Sequence, residues 1–359
     1  MIHFFCSTPL QIYTSIVMKL NCFQGEKARI YVIDYFIHAE EYLQKLNDTK
    51  LFDDVILVKA KKMYLRLKPP VFRKVPYLLW HFIYYTFYER YLRKYKVKVK
   101  PNDTVFFSYL EPICLMLTKL NKTKELLLHF CGYEDGIGAY TLPLERAESR
   151  IEHFFCFEPY YKKEEYWVYH PEFVIESEKN NLKKIPFYRS KELLLSTNKV
   201  WDIKNVTAIN KEIIFFDDLI SDNEIKRIFE IVQEGLDSEI MVKMHPRRFD
   251  LSIYNNKKIS IYEPRSLPFE VCMQNKDLSS KVLINIFSSA VINCIFMFNQ
   301  FPTIVFLYKI INDSAYKERE EEIDLLVEKL RSMYKDNKIY VPETLDELKL
   351  NIQQIMNNL

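Results

Sequence analysis

The sequence predicts an α/β protein made of two doubly wound, Rossmann-like domains. Short apolar runs that close in polar or hydroxyl-rich turns alternate with stretches of helical period along most of the chain. That alternation fails once, between residues 151 and 200, and then resumes. The 359 residues make two domains at roughly 150 residues each, and 48% of them are hydrophobic, enough for two cores.

The first apolar run, 2–6, is followed by Ser7, Thr8 and Pro9 and a helical pattern over 10–20. Hydroxyls at the cap and a proline in the first turn are how a helix starts after a strand. Further strands are expected at 28–34, 55–58, 104–109 and 126–130, with helical stretches between them. The segment 151–200 carries Pro159, Pro171 and Pro186 without a clear period and reads as a connector with some structure of its own. Strands return at 213–216, 239–244, 259–262, 281–287 and 302–307, separated by helices at 222–235, 268–274 and 290–298. Two charged helices close the chain. The expected organisation is a first domain over 1–155, a connector over 156–205 and a second domain over 206–359. In such sheets ligands bind beyond the carboxyl ends of the strands, so the informative residues are polar ones directly after apolar runs.

Composition narrows the function. Lys plus Arg number 51 against 48 Asp plus Glu, a net +3 that is too balanced for a nucleic-acid binder. The seven cysteines are odd in number and none is in CxxC spacing, which argues against a disulfide framework and a zinc site. Most lie in apolar runs, and a reducing cytoplasm fits them. The N-terminus lacks the regions of a signal peptide, and no run of 18 apolar residues exists, so a cytoplasmic protein is expected, at most peripheral at the inner face of the membrane. Neither a metal-ligand cluster nor a DxD pair stands out, so no metal and no other cofactor is expected.

Three segments carry chemistry. Gly132, Gly136 and Gly138 are three of the five glycines in the chain and surround the adjacent carboxylates Glu134 and Asp135 after a strand. A carboxylate on a tight loop at a strand end could be a general base, and a plain turn with a solvated acidic pair is the alternative. The second segment, Lys243-Met-His245-Pro246-Arg247-Arg248, closes another strand; Pro246 stops the strand and leaves His245 at the sheet edge, suited to an anionic ligand. The alternative, commoner for a lone His, is a His capping a strand end in a solvated basic turn. In the third, Ser288 and Ser289 follow an apolar strand and open a helix, which makes either an anion site or an ordinary N-cap. Ser7 and Thr8 pose the same question at the first strand. The pair Asp217-Asp218 ends a strand and serves either chemistry or capping.

One stretch belongs to none of these. Trp80, Phe82, Tyr84, Tyr85, Phe87 and Tyr88 precede Arg90, Arg93, Lys94, Lys96, Lys98 and Lys100. Aromatics beside a basic cluster fit a membrane surface with anionic head groups, and a buried or subunit-interface helix, hence a homodimer, fits as well.

Taken together, Ser7-Thr8-Pro9-Leu10-Gln11, Glu134-Asp135-Gly136, Lys243-Met-His245-Pro246 and Ser288-Ser289 resemble the bacterial sialyltransferases of the lipooligosaccharide and capsule type, a glycosyltransferase family 52-like group of GT-B architecture. The resemblance implies two Rossmann-like domains facing a central cleft. It implies inverting, metal-independent transfer of sialic acid from CMP-sialic acid to a sugar hydroxyl, such as that of galactose, on a surface glycan. The partners are then a nucleotide-sugar donor and a glycan acceptor. Carried over residue by residue, Asp135 is the general base, with Asp217 or Asp218 as the alternative, and His245 the acid that meets the leaving phosphate. Ser288 and Ser289 hold that phosphate, and Glu270 binds the CMP ribose. Lys243, Pro246, Ser7 and Thr8 lie near the donor, and Gln11, Glu134 and Gly136 on the acceptor side. Two rivals stay open: a glycosyltransferase of the same fold using another nucleotide sugar such as UDP-glucose, and a non-catalytic glycan- or membrane-binding module.

Overall fold

The computed structural model describes residues 1–63, 74–108, 112–142, 164–175, 181–203, 209–236, 239–245, 248, 250, 252–254, 258–264 and 267–358. The chain divides into two compact units, Met1–Asp135 with Pro143–Trp201, and Gly136–Leu142 with Asp202–Leu359.

The first unit is built on seven parallel strands: β1 (Ile2–Cys6), β2 (Ala28–Ile33), β3 (Asp54–Val58), β4 (Thr104–Phe107), β5 (His129–Tyr133), β6 (Glu165–Val168) and β7 (Leu182–Lys184), in the order β3-β2-β1-β4-β5-β6-β7. Its described helices include α1 (Pro9–Asn21), α2 (Glu41–Thr49), α3 (Lys74–Thr86), α4 (Tyr88–Lys94), α5 (Pro112–Lys124), and, after the short α6 (Gly138–Thr141) that belongs to the other unit, α7 (Lys191–Trp201). β1 is buried along its whole length and β2 at every residue but Arg29, as strands covered by helices on both faces should be. Aromatic pairs fill the layers between neighbouring strands: Phe4 stacks on Phe106 at 5.2 Å and Phe5 on Tyr31 at 4.4 Å.

The second unit holds six parallel strands, β8 (Ile213–Phe216), β9 (Ile240–Lys243), β10 (Ile259–Ile261), β11 (Val282–Asn285), β12 (Thr303–Phe306) and β13 (Ile339–Tyr340), in the order β10-β9-β8-β11-β12-β13. Around them lie α8 (Asp222–Glu234), α9 (Phe269–Met273), α10 (Ser289–Phe296), α11 (Ser314–Lys317), α12 (Glu320–Met333) and α13 (Leu345–Asn357). Ser221 caps α8, its Oγ accepting from the Glu224 amide at 3.3 Å, in a Ser-x-x-Glu start. Both sheets reverse their strand order once, between β1 and β4 and between β8 and β11. Those are the switch points at which α/β sheets open a crevice beyond their carboxyl ends.

The segment expected to be a connector behaves differently. Among its described residues, β6, β7 and α7 lie in the first unit and extend its sheet, and Trp201 packs on Tyr13 and Tyr42, both at 6.0 Å. β6 (Glu-Tyr-Trp-Val) and β7 (Leu-Lys-Lys) are only four and three residues long and carry Glu165, Lys183 and Lys184, too short to register as apolar runs. β13, at two residues, is likewise too short to register. The strand expected at 126–130 starts three residues later: Leu127 takes a left-handed φ of 52° and is 68% exposed, and pairing with β4 begins at His129. Gly132 is therefore inside a strand. Tyr109, placed at the end of a strand by its sequence, and residues 151–163 lie outside the described residues.

Candidate functional site

In the first unit the chemistry gathers where β1 and β5 end, on either side of β4. Thr8 caps α1 from extended backbone, its Oγ1 accepting from the Gln11 amide at 3.1 Å, with Pro9 in the first turn. The same hydroxyl donates to Asp135 Oδ1 at 3.1 Å, and Gln11 Nε2 donates to Asp135 Oδ2 at 2.8 Å. The Gln11 amide has one sensible orientation, because its Oε1 accepts from both the Ser7 amide and, at 3.1 Å, the Ser7 hydroxyl. Two neutral donors thus aim the Asp135 carboxylate, at a helix start whose dipole favours negative charge. A carboxylate has about four lone-pair positions, so one held by neutral donors can still accept a proton.

Its neighbours play other parts. Glu134 is 2% exposed, and its Oε2 accepts from the Tyr169 amide at 2.9 Å, which ties the end of β5 to the end of β6. Gly136 has a φ of +87°, a conformation that a side chain disfavours, and the chain passes from the first unit to the second there. Buried Cys6 bonds to Ser15, and burial pushes its thiol up to about 12, so it stays protonated. The sequence made Asp135 the base, put Gln11 on the acceptor side and Ser7 and Thr8 near the donor; the structure joins all four in one network.

In the second unit three adjacent strands, β9, β8 and β11, deliver the remaining candidates to the carboxyl edge. His245 lies two residues past β9, half-buried, with its backbone amide donating to Asp217 Oδ2 at 3.3 Å. Pro246 and Arg247 lie outside the described residues. Ser288 is the N-cap of α10, yet its hydroxyl makes no capping bond; its amide donates to Asn285 Oδ1 at 2.8 Å. Ser288 and Ser289 are half-buried. β9 and β11 both flank β8, so the His245 and Ser288 loops start about 10 Å apart across it.

Asp217 and Asp218, the alternative base candidates, are both engaged in bonds within the second unit. Asp217 is buried against Arg248, whose Nε is 2.8 Å from Oδ2 and 2.9 Å from Oδ1. Burial pushes the Asp217 carboxyl up, and the Arg248 guanidinium, Tyr254 and the His245 amide oppose it. Arg248 also reaches Asp222 and the carbonyls of Asp218 and, at 3.0 Å, Ile220. Asp218 accepts from the Tyr316 hydroxyl. Arg248, read from sequence as part of an exposed basic turn, is instead a clamp between the loops after β8 and β9. An Asp-Asp pair at one strand end and an Arg past the next was the available signal.

Lys243 and Glu270 also face inward. Lys243 Nζ donates to Met244 O at 3.4 Å and sits 5.4 Å over the Tyr262 ring. Glu270 is 3% exposed, and its Oε1 accepts from Asn293 Nδ2 at 2.8 Å, joining α9 to α10. Burial pushes this carboxyl up; Asn293, a backbone amide and Lys243 counter it. Among the described residues no group of three or more His, Cys, Asp or Glu is placed to hold a metal ion.

No protein-family model matches the chain, and no curated protein matches its sequence. Solved structures do. The calicheamicin glycosyltransferase CalG4 aligns with a TM-score of 0.55 at 10% identity, over 98% of this chain and 88% of its own. The Arabidopsis thaliana enzyme UGT89C1, in complex with UDP-L-rhamnose, aligns with a TM-score of 0.54 at 8% identity, over 98% of this chain and 89% of its own. The chain therefore has the GT-B glycosyltransferase fold, two Rossmann-like domains with all-parallel sheets.

Proposed function

We propose that this protein is an inverting glycosyltransferase that moves a sugar from a nucleotide donor to a hydroxyl acceptor, with Asp135 as the base. The observation that carries it is the Asp135 carboxylate, aimed by Thr8 and Gln11 at the carboxyl edge of a Rossmann-type sheet. Asp135 takes the acceptor proton; the freed oxygen attacks the anomeric carbon as the bond to the phosphate oxygen breaks. The nucleotide departs with that electron pair. His245 gives the departing phosphate a proton or a hydrogen bond, and Ser288 and Ser289 hold it at the start of α10. These groups need no metal to meet the charge of one phosphate.

For the donor we propose CMP-sialic acid, on the four segments that resemble bacterial sialyltransferases, with a surface glycan as acceptor. A UDP-sugar is the second reading, favoured by the UDP-L-rhamnose complex of the similar UGT89C1. A thermal-shift series against CMP, UDP and GDP tests both. A ligand at 100 times its Kd adds about 2.7 kcal/mol. Stabilisation by CMP alone supports the first donor and by UDP alone the second. Stabilisation by none of the three defeats the glycosyltransferase reading.

A further inference from the structure

The aromatic and basic stretch left over from the sequence divides cleanly in the structure. On α3 and α4, Tyr84, Tyr85, Tyr88 and Leu92 are buried and join Tyr95 in the core of the first unit. The positions 84, 85, 88, 92 and 95 are one helical stripe. The opposite side is exposed and apolar: Leu79 is 55%, Phe82 53% and Phe87 53% exposed. The helical path runs through the junction at Phe87, whose amide donates to Ile83 O at 3.1 Å while its carbonyl accepts from Tyr91 at 3.2 Å. Helical spacing then sets Arg90 and Arg93 in line with Leu79 and Phe82, and Lys94 in line with Phe87.

All three cations are exposed. Between residues 77 and 100 there are six Lys and Arg against one acid, Glu89, and Glu89 is paired with Lys124 at 3.2 Å. An exposed apolar stripe continued by a net positive charge is complementary to a bilayer with anionic head groups. No described helix is long and apolar enough to cross a membrane.

We propose that the outer face of α3 and α4 docks the protein onto an anionic lipid surface. Leu79, Phe82 and Phe87 enter the head-group region, and Arg90, Arg93 and Lys94 meet lipid phosphates. This does not depend on which nucleotide the protein uses.

Vesicle co-sedimentation tests it, using the full chain with phosphatidylcholine vesicles and with vesicles containing one-third phosphatidylglycerol. Binding is expected to the anionic vesicles only and to weaken with added salt. Phe82→Ser with Phe87→Ser should abolish it. Arg90→Gln with Arg93→Gln should weaken it about 25-fold, at roughly five-fold per cation. These side chains are exposed, so both variants should keep the wild-type Tm and nucleotide response. Failure of the wild type to bind anionic vesicles overturns the proposal, as does equal binding by the variants. A concentration-dependent dimer that the Phe variants dissociate, without vesicle binding, assigns the face to a second copy of the chain instead.

Discussion

Arg248 Nε stands between the two carboxylate oxygens of Asp217, 2.8 and 2.9 Å from them, and so fastens the loop that carries His245 to the end of β8. The Asp217 side chain has no solvent exposure and that of Arg248 only 6%. Removing one partner strands a buried charge. Arg248→Ala is expected to cost the second unit about 3–5 kcal/mol, and Asp217→Asn added to Arg248→Met should recover part of the loss. Urea denaturation checks this; a loss under about 1 kcal/mol would mean the clamp is not formed.

Glu270 separates two roles for a buried carboxylate. Held by Asn293, it is expected to tolerate Glu270→Gln, whose Oε1 can still accept the same bond, with nucleotide affinity unchanged within about two-fold. Glu270→Ala leaves Asn293 unpaired and should destabilise by about 1–3 kcal/mol. Calorimetric titration with nucleotide reads the difference. A large loss of affinity in Glu270→Gln would give the carboxylate to the ribose.

The regular α/β architecture was legible in the sequence because buried parallel strands are continuous apolar runs, as in Phe4, Phe5 and Cys6 or Val282, Leu283 and Ile284. Asp135 stood out because it lies beside Gly136 in a chain with five glycines. What escaped was whatever depends on long-range partners. Nothing local says that Gln11 reaches Asp135, 124 positions on, or that Arg248 folds back 31 positions to Asp217. The basic turn therefore read as exposed. The segment around Glu165 and Leu182 read as irregular because its strands are only four and three residues long, too short to show a run.

His3 supplies a pH test remote from the site. Its Nε2 is 2.9 Å from Asp103 Oδ2, and its Nδ1 is 3.3 Å from the Tyr31 hydroxyl. Burial pushes the imidazole below its ordinary value, against the pull of Asp103. The unfolded chain takes up a proton near pH 6.5 while the folded one resists, so acidification below that point favours unfolding. The Asp103 carboxyl is pushed up by burial but held below its usual range by the Lys100 amide, His3 and the N-terminal ammonium. Its contribution is lost only at more acidic pH. Thermal unfolding between pH 7 and 5 should show Tm falling in the wild type and a shallower slope in His3→Gln. Identical slopes would contradict a neutral His3.

His245 is assigned to charge that develops as the donor bond breaks. His245→Ala should therefore lower turnover by roughly 10²–10⁴ while nucleotide Kd moves little. Nucleotide affinity falling in step with turnover would make His245 a binding residue only.

Asp135 bears the central claim, and single-turnover transfer by Asp135→Asn tests it most directly. Asn keeps the size of the side chain, loses the base, and can still accept from Thr8. Binding of the donor nucleotide should remain close to wild type while transfer falls by about 10²–10⁴. Transfer at the wild-type rate would remove Asp135 from the reaction and with it the chemistry proposed for this fold.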